Sequence, residues 1–184
     1  VSEVVVVDYG AGNTHSVRAA LSRLGRSSEV SSDRAALLGA QYVVLPGVGS
    51  ARSAMVHLNE TGAATALHER FDNGDPILGI CLGMQLALES SEEDGGVTGL
   101  GLLKGHVRRL TTGRVPRLGW AMVEPWNEAY YFAHSYASDS SDTVATSDGV
   151  SVAVQRGSFF GVQFHPEKSG PAGLRMLDRC LSLV

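Results

Sequence analysis

Gly79-Ile80-Cys81-Leu82-Gly83 sets a thiol between two glycines, at the end of the apolar run Pro76 to Ile80 and at the start of a helical stretch, Met84 to Glu89. A sharp strand-to-helix turn of this kind exposes a nucleophile in a strained backbone conformation. Glycines on either side remove Cβ atoms that would strike the neighbouring strand and helix. The following helix presents unpaired N–H groups toward the sulfur, an environment that suits a reactive thiol. A free cysteine is commonly a buried packing residue. Cys180, inside an amphipathic helical pattern, keeps that reading, whereas the glycines around Cys81 favour a nucleophile.

His165-Pro166-Glu167-Lys168 follows the strand-like run Phe159 to Phe164. In an extended segment residues i and i+2 point to one side, so Glu167 is expected beside His165, fixing its tautomer and stabilising its protonated form. A His-x-Glu pair alone is weak evidence. With an elbow cysteine it completes a nucleophile, base and orienter set.

Pro46-Gly47-Val48-Gly49 ends another buried run, Tyr42 to Leu45, where open α/β sheets build their sites. Its glycines let the backbone aim an N–H at a developing oxyanion, although a plain turn would read the same way. Gly10-Ala11-Gly12-Asn13 lacks the full dinucleotide fingerprint, and the chain has no Walker-type Gly-Lys-Ser/Thr. His57 and His68 read as solvated helix positions, and His15 and His106 lack a matched partner. His134, in His134-Ser135-Tyr136, is the better candidate for substrate contact.

The elements that must position these groups are legible in outline. Val4 to Asp8 reads as a strand buried on both faces, and Val17, Ala20, Leu21 and Leu24 as a helix face ended by Gly25. Helix formers from about Ser50 to Arg70 are interrupted at Thr61-Gly62. This alternation predicts βαβ units and a parallel sheet. In the second half, Val107 to Leu110, Ala121 to Glu124, Ala129 to Phe132, Val144 to Thr146, Val150 to Gln155 and Phe159 to Phe164 predict short strands added antiparallel to that sheet. Ser138 to Asp148 reads as a surface loop broken by one weak strand. A closing helix sets Leu174, Leu177, Leu181 and Val184 on one face.

The length, 184 residues, suits a single domain over 1–184. With 43% hydrophobic and 18% charged residues the composition is that of a globular protein, and a net charge of −4 argues against nucleic-acid binding. The longest apolar runs are far short of a membrane helix, and Val1-Ser2-Glu3 opens no secretory signal pattern. Two cysteines without Cys-x-x-Cys spacing point to a reducing cytoplasm and away from zinc or a disulfide framework.

Together with Asp8-Tyr9-Gly10-Ala11-Gly12-Asn13, Leu45-Pro46-Gly47-Val48-Gly49, Gly119-Trp120, Tyr131-Phe132-Ala133-His134-Ser135-Tyr136 and Gly161 to Ser169, these motifs resemble the class I (triad) glutamine amidotransferases. Among these, they are similar to the glutaminase subunits of imidazole glycerol phosphate synthases. The resemblance implies a flavodoxin-like fold and a Cys81, His165, Glu167 triad. It implies oxyanion donors from Gly47, Val48, Gly49 and Leu82, and glutamine contacts from Gln85, Glu93, His134, Ser135 and Tyr136. It also implies Trp120, Tyr131 and Lys168 at the interface with a (β/α)8-barrel cyclase partner, and no cofactor or metal. The family usually reads His-Met where this chain has Arg117-Leu118, and the stretch between Tyr136 and Phe159 is short. Other glutaminases, serving pyridoxal phosphate or anthranilate synthesis, and a regulatory domain that has lost turnover are the alternative readings.

Overall fold

The computed structural model describes residues 2–10 and 13–183. Val1, Ala11 and Gly12 of the first loop motif, and Val184 of the predicted closing-helix face, lie outside them. The elements run β1 (Val4–Val7), α1 (Thr14–Arg23), β2 (Ser28–Ser31), α2 (Arg34–Gly39), β3 (Tyr42–Leu45), α3 (Ala51–Glu60), α4 (Ala63–Asn73), β4 (Ile77–Ile80) and α5 (Leu82–Leu86). They continue with β5 (Ser90–Ser91), β6 (Val97–Thr98), β7 (His106–Arg109), β8 (Arg117–Val123), β9 (Glu128–His134), β10 (Tyr136–Asp139), β11 (Thr143–Ser147), β12 (Val150–Arg156), β13 (Phe159–Val162) and α6 (Gly170–Leu183).

Among the described residues, eleven strands share one sheet in the order β2-β1-β3-β4-β13-β12-β10-β7-β5-β6, with β11 on β12. The first five of that order are mutually parallel; the alternating first half predicts a parallel sheet, and β13 joins it from the second half. Strand β1 shows why the run is all valine. Val5 and Val7 enter the core under α2, α3 and α4, while Val4 and Val6 enter the opposite core with α1 and α6. A strand covered on both faces has no polar side to alternate with.

Three expectations need correction. Phe159–Val162 is not an antiparallel addition: it lies parallel to β4, with Val162 opposite Ile80, and so belongs to the central sheet. Strands β8 and β9 do not join that sheet either. They form a separate two-stranded ribbon which, among the described residues, shares one isolated β-bridge with the main sheet, Glu124–Thr146. The segment from Ser138 is less loop-like than its polar composition suggests. It holds the end of β10 and all of β11, because Ser138, Thr143 and Ser151 hydroxyls satisfy one another across the strands.

The ribbon packs its inward residues, Val123, Tyr130 and Phe132, on the α6 side of the sheet. Tyr130 stacks on Phe164 at 4.1 Å between ring centroids, and Phe132 meets the same ring at 5.7 Å. The ribbon is thereby fastened to the residue immediately before His165.

Candidate active site

Parallel strands β1, β3, β4 and β13 all end at one edge of the sheet, so the four candidate loops converge there. Cys81 follows β4 directly, in the left-handed region at φ 51 and ψ −109. Its N–H donates to Val162 O at 2.7 Å, and its own carbonyl accepts from the Gln85 N–H at 3.2 Å. The turn is therefore held from both sides. A Cβ on Gly79 would lie 2.6 Å from the Phe159 ring and 2.8 Å from Met84 backbone atoms, and one on Gly83 would lie 1.9 Å from Leu45 O. The flanking glycines permit the close approach anticipated for them. The helix itself is shorter than expected, ending at Leu86 rather than Glu89.

His165 is 1% exposed, with Nδ1 2.7 Å from Glu167 Oε1. The pair meets, but Pro166–Lys168 is a 3-10 turn and not the extended segment expected. Pro at the first position of that turn preforms it. The His165 backbone is fixed independently, its N–H donating to Tyr131 O at 2.9 Å and its carbonyl accepting from Ser169 Oγ at 2.7 Å. Burial alone would lower the imidazole pKa, but the neighbouring Cys81 and Glu167 together outweigh it and hold the group up at about 9.

A cavity of about 270 Å³ opens above the sulfur, lined by Val48, Gly49, Cys81, Leu82, Gln85, Glu93, His134, Ser135 and Tyr136, with Pro116, Leu118 and Ala133 at its margin. Of the expected oxyanion donors, Val48, Gly49 and Leu82 line this space. Gly47 does not: it is wedged beneath, where a Cβ would lie 2.5 Å from Gly83 N. The Gln85 amide donates to Tyr136 O at 2.9 Å and to Gln163 Oε1 at 2.8 Å. Glu93 accepts from the Ala51 N–H at the start of α3, yet burial pushes its carboxyl up. His134 Nδ1 faces Tyr136 O at 2.8 Å; burial pushes this imidazole down to about 4. The cavity wall thus offers one neutral histidine and one carboxyl group beside a protonated base.

Three contributors escaped the sequence reading. The Asn13 amide donates to Glu167 Oε1, the Gln163 amide reaches Cys81 Sγ at 3.5 Å, and Ser169 joins His165 O to the Tyr131 N–H. Gln163 had a visible signal, a lone amide inside the apolar run Phe159 to Phe164. Asn13 and Ser169 had none beyond membership of a motif.

Along β8 exposed and covered residues alternate, leaving Leu118, Trp120 and Met122 more than half exposed. Trp120 meets Tyr131 edge-to-face at 6.2 Å, and Lys168 is exposed. Arg117 points the other way, bonding Ser147 Oγ and Asp148 and lying 4.6 Å over the Phe132 ring. Cys180 is fully buried in α6, and burial pushes its thiol up to about 12. No group of metal-binding side chains occurs among the described residues, and none of their helices is long and apolar enough to cross a membrane.

The family model "Glutamine amidotransferase class-I" matches residues 5–183. The imidazole glycerol phosphate synthase subunit HisH of Moorella thermoacetica is 43% identical over 199 residues, covering 98% of this chain and 95% of that protein. The subunit of the same name from Exiguobacterium sibiricum is 44% identical over 180 residues, covering 95% and 92%. A crystal structure of a glutamine amidotransferase superposes with a TM-score of 0.81 at 21% identity, covering 98% of this chain and 99% of the other, and so shares the fold. With a glycine-flanked thiol, a buried His–Glu pair and these relatives, the chain belongs to the class I glutamine amidotransferases, in the HisH family of imidazole glycerol phosphate synthase subunits.

Proposed function

We propose that this chain hydrolyses glutamine to glutamate and ammonia through a covalent thioester on Cys81 and delivers the ammonia to a (β/α)8-barrel cyclase partner in histidine biosynthesis. The observation that carries the proposal is the placement of Cys81 at a strand end with positive φ, lining the pocket, beside His165, which neighbours the thiol and is itself paired with the buried Glu167 carboxylate.

The Cys81 thiolate attacks the side-chain amide carbon of glutamine. The oxyanion that forms takes hydrogen bonds from backbone N–H groups of Val48, Gly49 and Leu82. His165, protonated at neutral pH because its pKa is held near 9, gives its proton to the departing ammonia as the C–N bond breaks. The now neutral imidazole takes a proton from water, which adds to the γ-glutamyl thioester. Collapse expels the thiolate and releases glutamate. Gln85, Glu93 and the His134–Tyr136 segment hold the substrate's amino-acid end and carbonyl.

The exposed Leu118, Trp120 and Met122 stripe, with Tyr131 and Lys168 beside it, is the face that takes the cyclase. Large apolar side chains grouped on one strand face are what a docking surface offers. Leu118 also lines the pocket, so this face reaches the reaction chamber. The test is glutamate release by the isolated chain, by its complex with the cyclase, and by the complex with the cyclase's nucleotide ligand. Activity in the complex that disappears with Cys81→Ala and survives Cys180→Ala is the expected result. An unreactive Cys81, or activity retained by its alanine variant, would remove the proposal.

A further inference from the structure

Tyr9, just beyond β1, has no part in the chemistry above, yet it is 3% exposed and its hydroxyl donates to the carbonyl oxygen of Pro46. Pro46 opens the loop whose later residues, Val48 and Gly49, line the pocket together with Cys81. In a planar trans peptide the carbonyl and the N–H point in opposite directions, so holding Pro46 O fixes the Pro46–Gly47 peptide plane. The next residue is pinned by shape: a Cβ on Gly47 would lie 2.5 Å from both Gly83 N and Leu82 Cβ. Only Val48 and Gly49 separate this anchor from Ser50, which caps α3 and donates to Asp94. Gly49 sits at φ +109 with open space around it, and Val48 and Gly49 form a thin wall between two cavities. The catalytic pocket lies on one side, and on the other a space of about 70 Å³ lined by Tyr9, Gly10, Ser50, Ser53 and Ala54. A two-residue segment with room on both sides takes its direction from the fixed peptides at its ends, and the Pro46–Gly47 plane is one of them.

We propose that Tyr9 is a positioning residue for glutamine hydrolysis: its hydroxyl, on the Pro46 carbonyl, anchors the peptide from which the Val48 and Gly49 N–H groups are aimed at the oxyanion. The inference rests on the glutaminase reading. A tyrosine that merely packs would act through its ring, which also belongs to the hydrophobic cluster with Ala51, Ala54 and Met55. A tyrosine that positions acts through its oxygen.

Tyr9→Phe keeps the ring and removes the oxygen. In the complex with the cyclase, kcat for glutamine hydrolysis is expected to fall about tenfold, the size of one oriented hydrogen bond, with KM within about twofold. Alkylation of Cys81 by iodoacetamide, which needs no oxyanion donor, should keep its rate, while the melting temperature falls modestly because the buried Pro46 carbonyl loses its donor. A kcat within about twofold of the parent would overturn the inference, and so would a parallel fall in turnover and alkylation. Should the Phe variant not fold, 3,5-difluorotyrosine in place of Tyr9 retains the ring and makes a stronger donor; a shifted kcat at constant KM then supports the assignment, and an unchanged kcat rejects it. A parent complex that releases no glutamate would sink the glutaminase reading and this inference with it. A parent that turns over while its Tyr9 variants match it sinks this inference alone.

Discussion

Asn13 and His165 donate to one and the same oxygen, Oε1 of Glu167, while Oε2 is buried with no hydrogen-bond partner. The carboxylate is thus held in one orientation from two loops, and its charge is concentrated toward the imidazole. Replacing it by an amide preserves shape and removes that charge. In Glu167→Gln the His165 pKa is expected to drop from about 9 toward the ordinary value of 6.5, because a contact that raises it is lost. The alkaline limb of the pH–kcat profile then moves to lower pH, and kcat falls by about 10²–10⁴ with little change in KM. Asn13→Ala, which leaves the charge in place, should lower kcat by about tenfold or less. Unaltered profiles in both variants would show that the carboxylate does not act through the histidine.

His134 links stability to pH with a known sign. In the unfolded chain it titrates near 6.5, and folded near 4, since burial disfavours the imidazolium and the nearby Arg117 adds to the effect. Its contribution is fully present above pH 6.5. Between the two values the unfolded chain binds a proton that the folded chain refuses, so stability falls as pH drops, by up to about 1.4 kcal/mol per pH unit. Urea melts of the parent and His134→Gln at pH 7, 6, 5 and 4 should show that the variant lacks this component. Parallel curves would contradict it.

Gly83 is the tightest of the glycines around the nucleophile, with Leu45 O at 1.9 Å from any added Cβ. Gly83→Ala must push the end of β3 away from α5 and misplace the Pro46–Gly49 loop. A loss of about 2 kcal/mol or more and a collapse of kcat are expected. Gly113→Ala, where the backbone is left-handed but the surroundings are open, should cost about 1 kcal/mol and leave turnover unchanged. Thermal melts and glutamine assays on both variants separate the two outcomes.

Arg70 is fully buried in α4, its guanidinium donating to the carbonyls of Leu37, Ala40, Gln41 and Pro76. It closes the end of α2 and the entries to β3 and β4 by satisfying carbonyl oxygens there, those of Leu37 and Ala40 in buried bonds. Burial pulls its pKa down, so the cation is costly, but its removal takes away four hydrogen bonds at once, although Pro76 O keeps the Val43 N–H. Arg70→Met should destabilise by about 2–4 kcal/mol, measured by denaturant titration, while the KM for glutamine of the folded fraction stays put.

What could be read from the sequence divides along the range of the forces involved. The Cys81 elbow and the partnership of His165 with Glu167 were visible because glycine spacing and an i, i+2 pair are local. Asn13, Gln163 and Ser169 were missed because their bonds cross between loops. The valine run of β1 announces a strand covered on both faces, yet nothing within Phe159 to Val162 says whether it runs parallel or antiparallel. That is decided by its pairing with β4, 82 residues away in sequence between Ile80 and Val162. Likewise the alternation in β8 was legible, but its separation from the main sheet follows from ring packing on Phe164, which only the folded chain brings together.

The late arrival of β13 bears on how the chain is made. The thiol is in place once β4 and α5 have formed, but its base and carboxylate arrive with a strand that must insert beside β4 after nearly everything else has been synthesised. An unfinished or prematurely terminated chain therefore carries Cys81 without His165 and Glu167, and on the proposed mechanism lacks the groups that complete its turnover. On that mechanism, a chain still on the ribosome spares glutamine until its last strand is home.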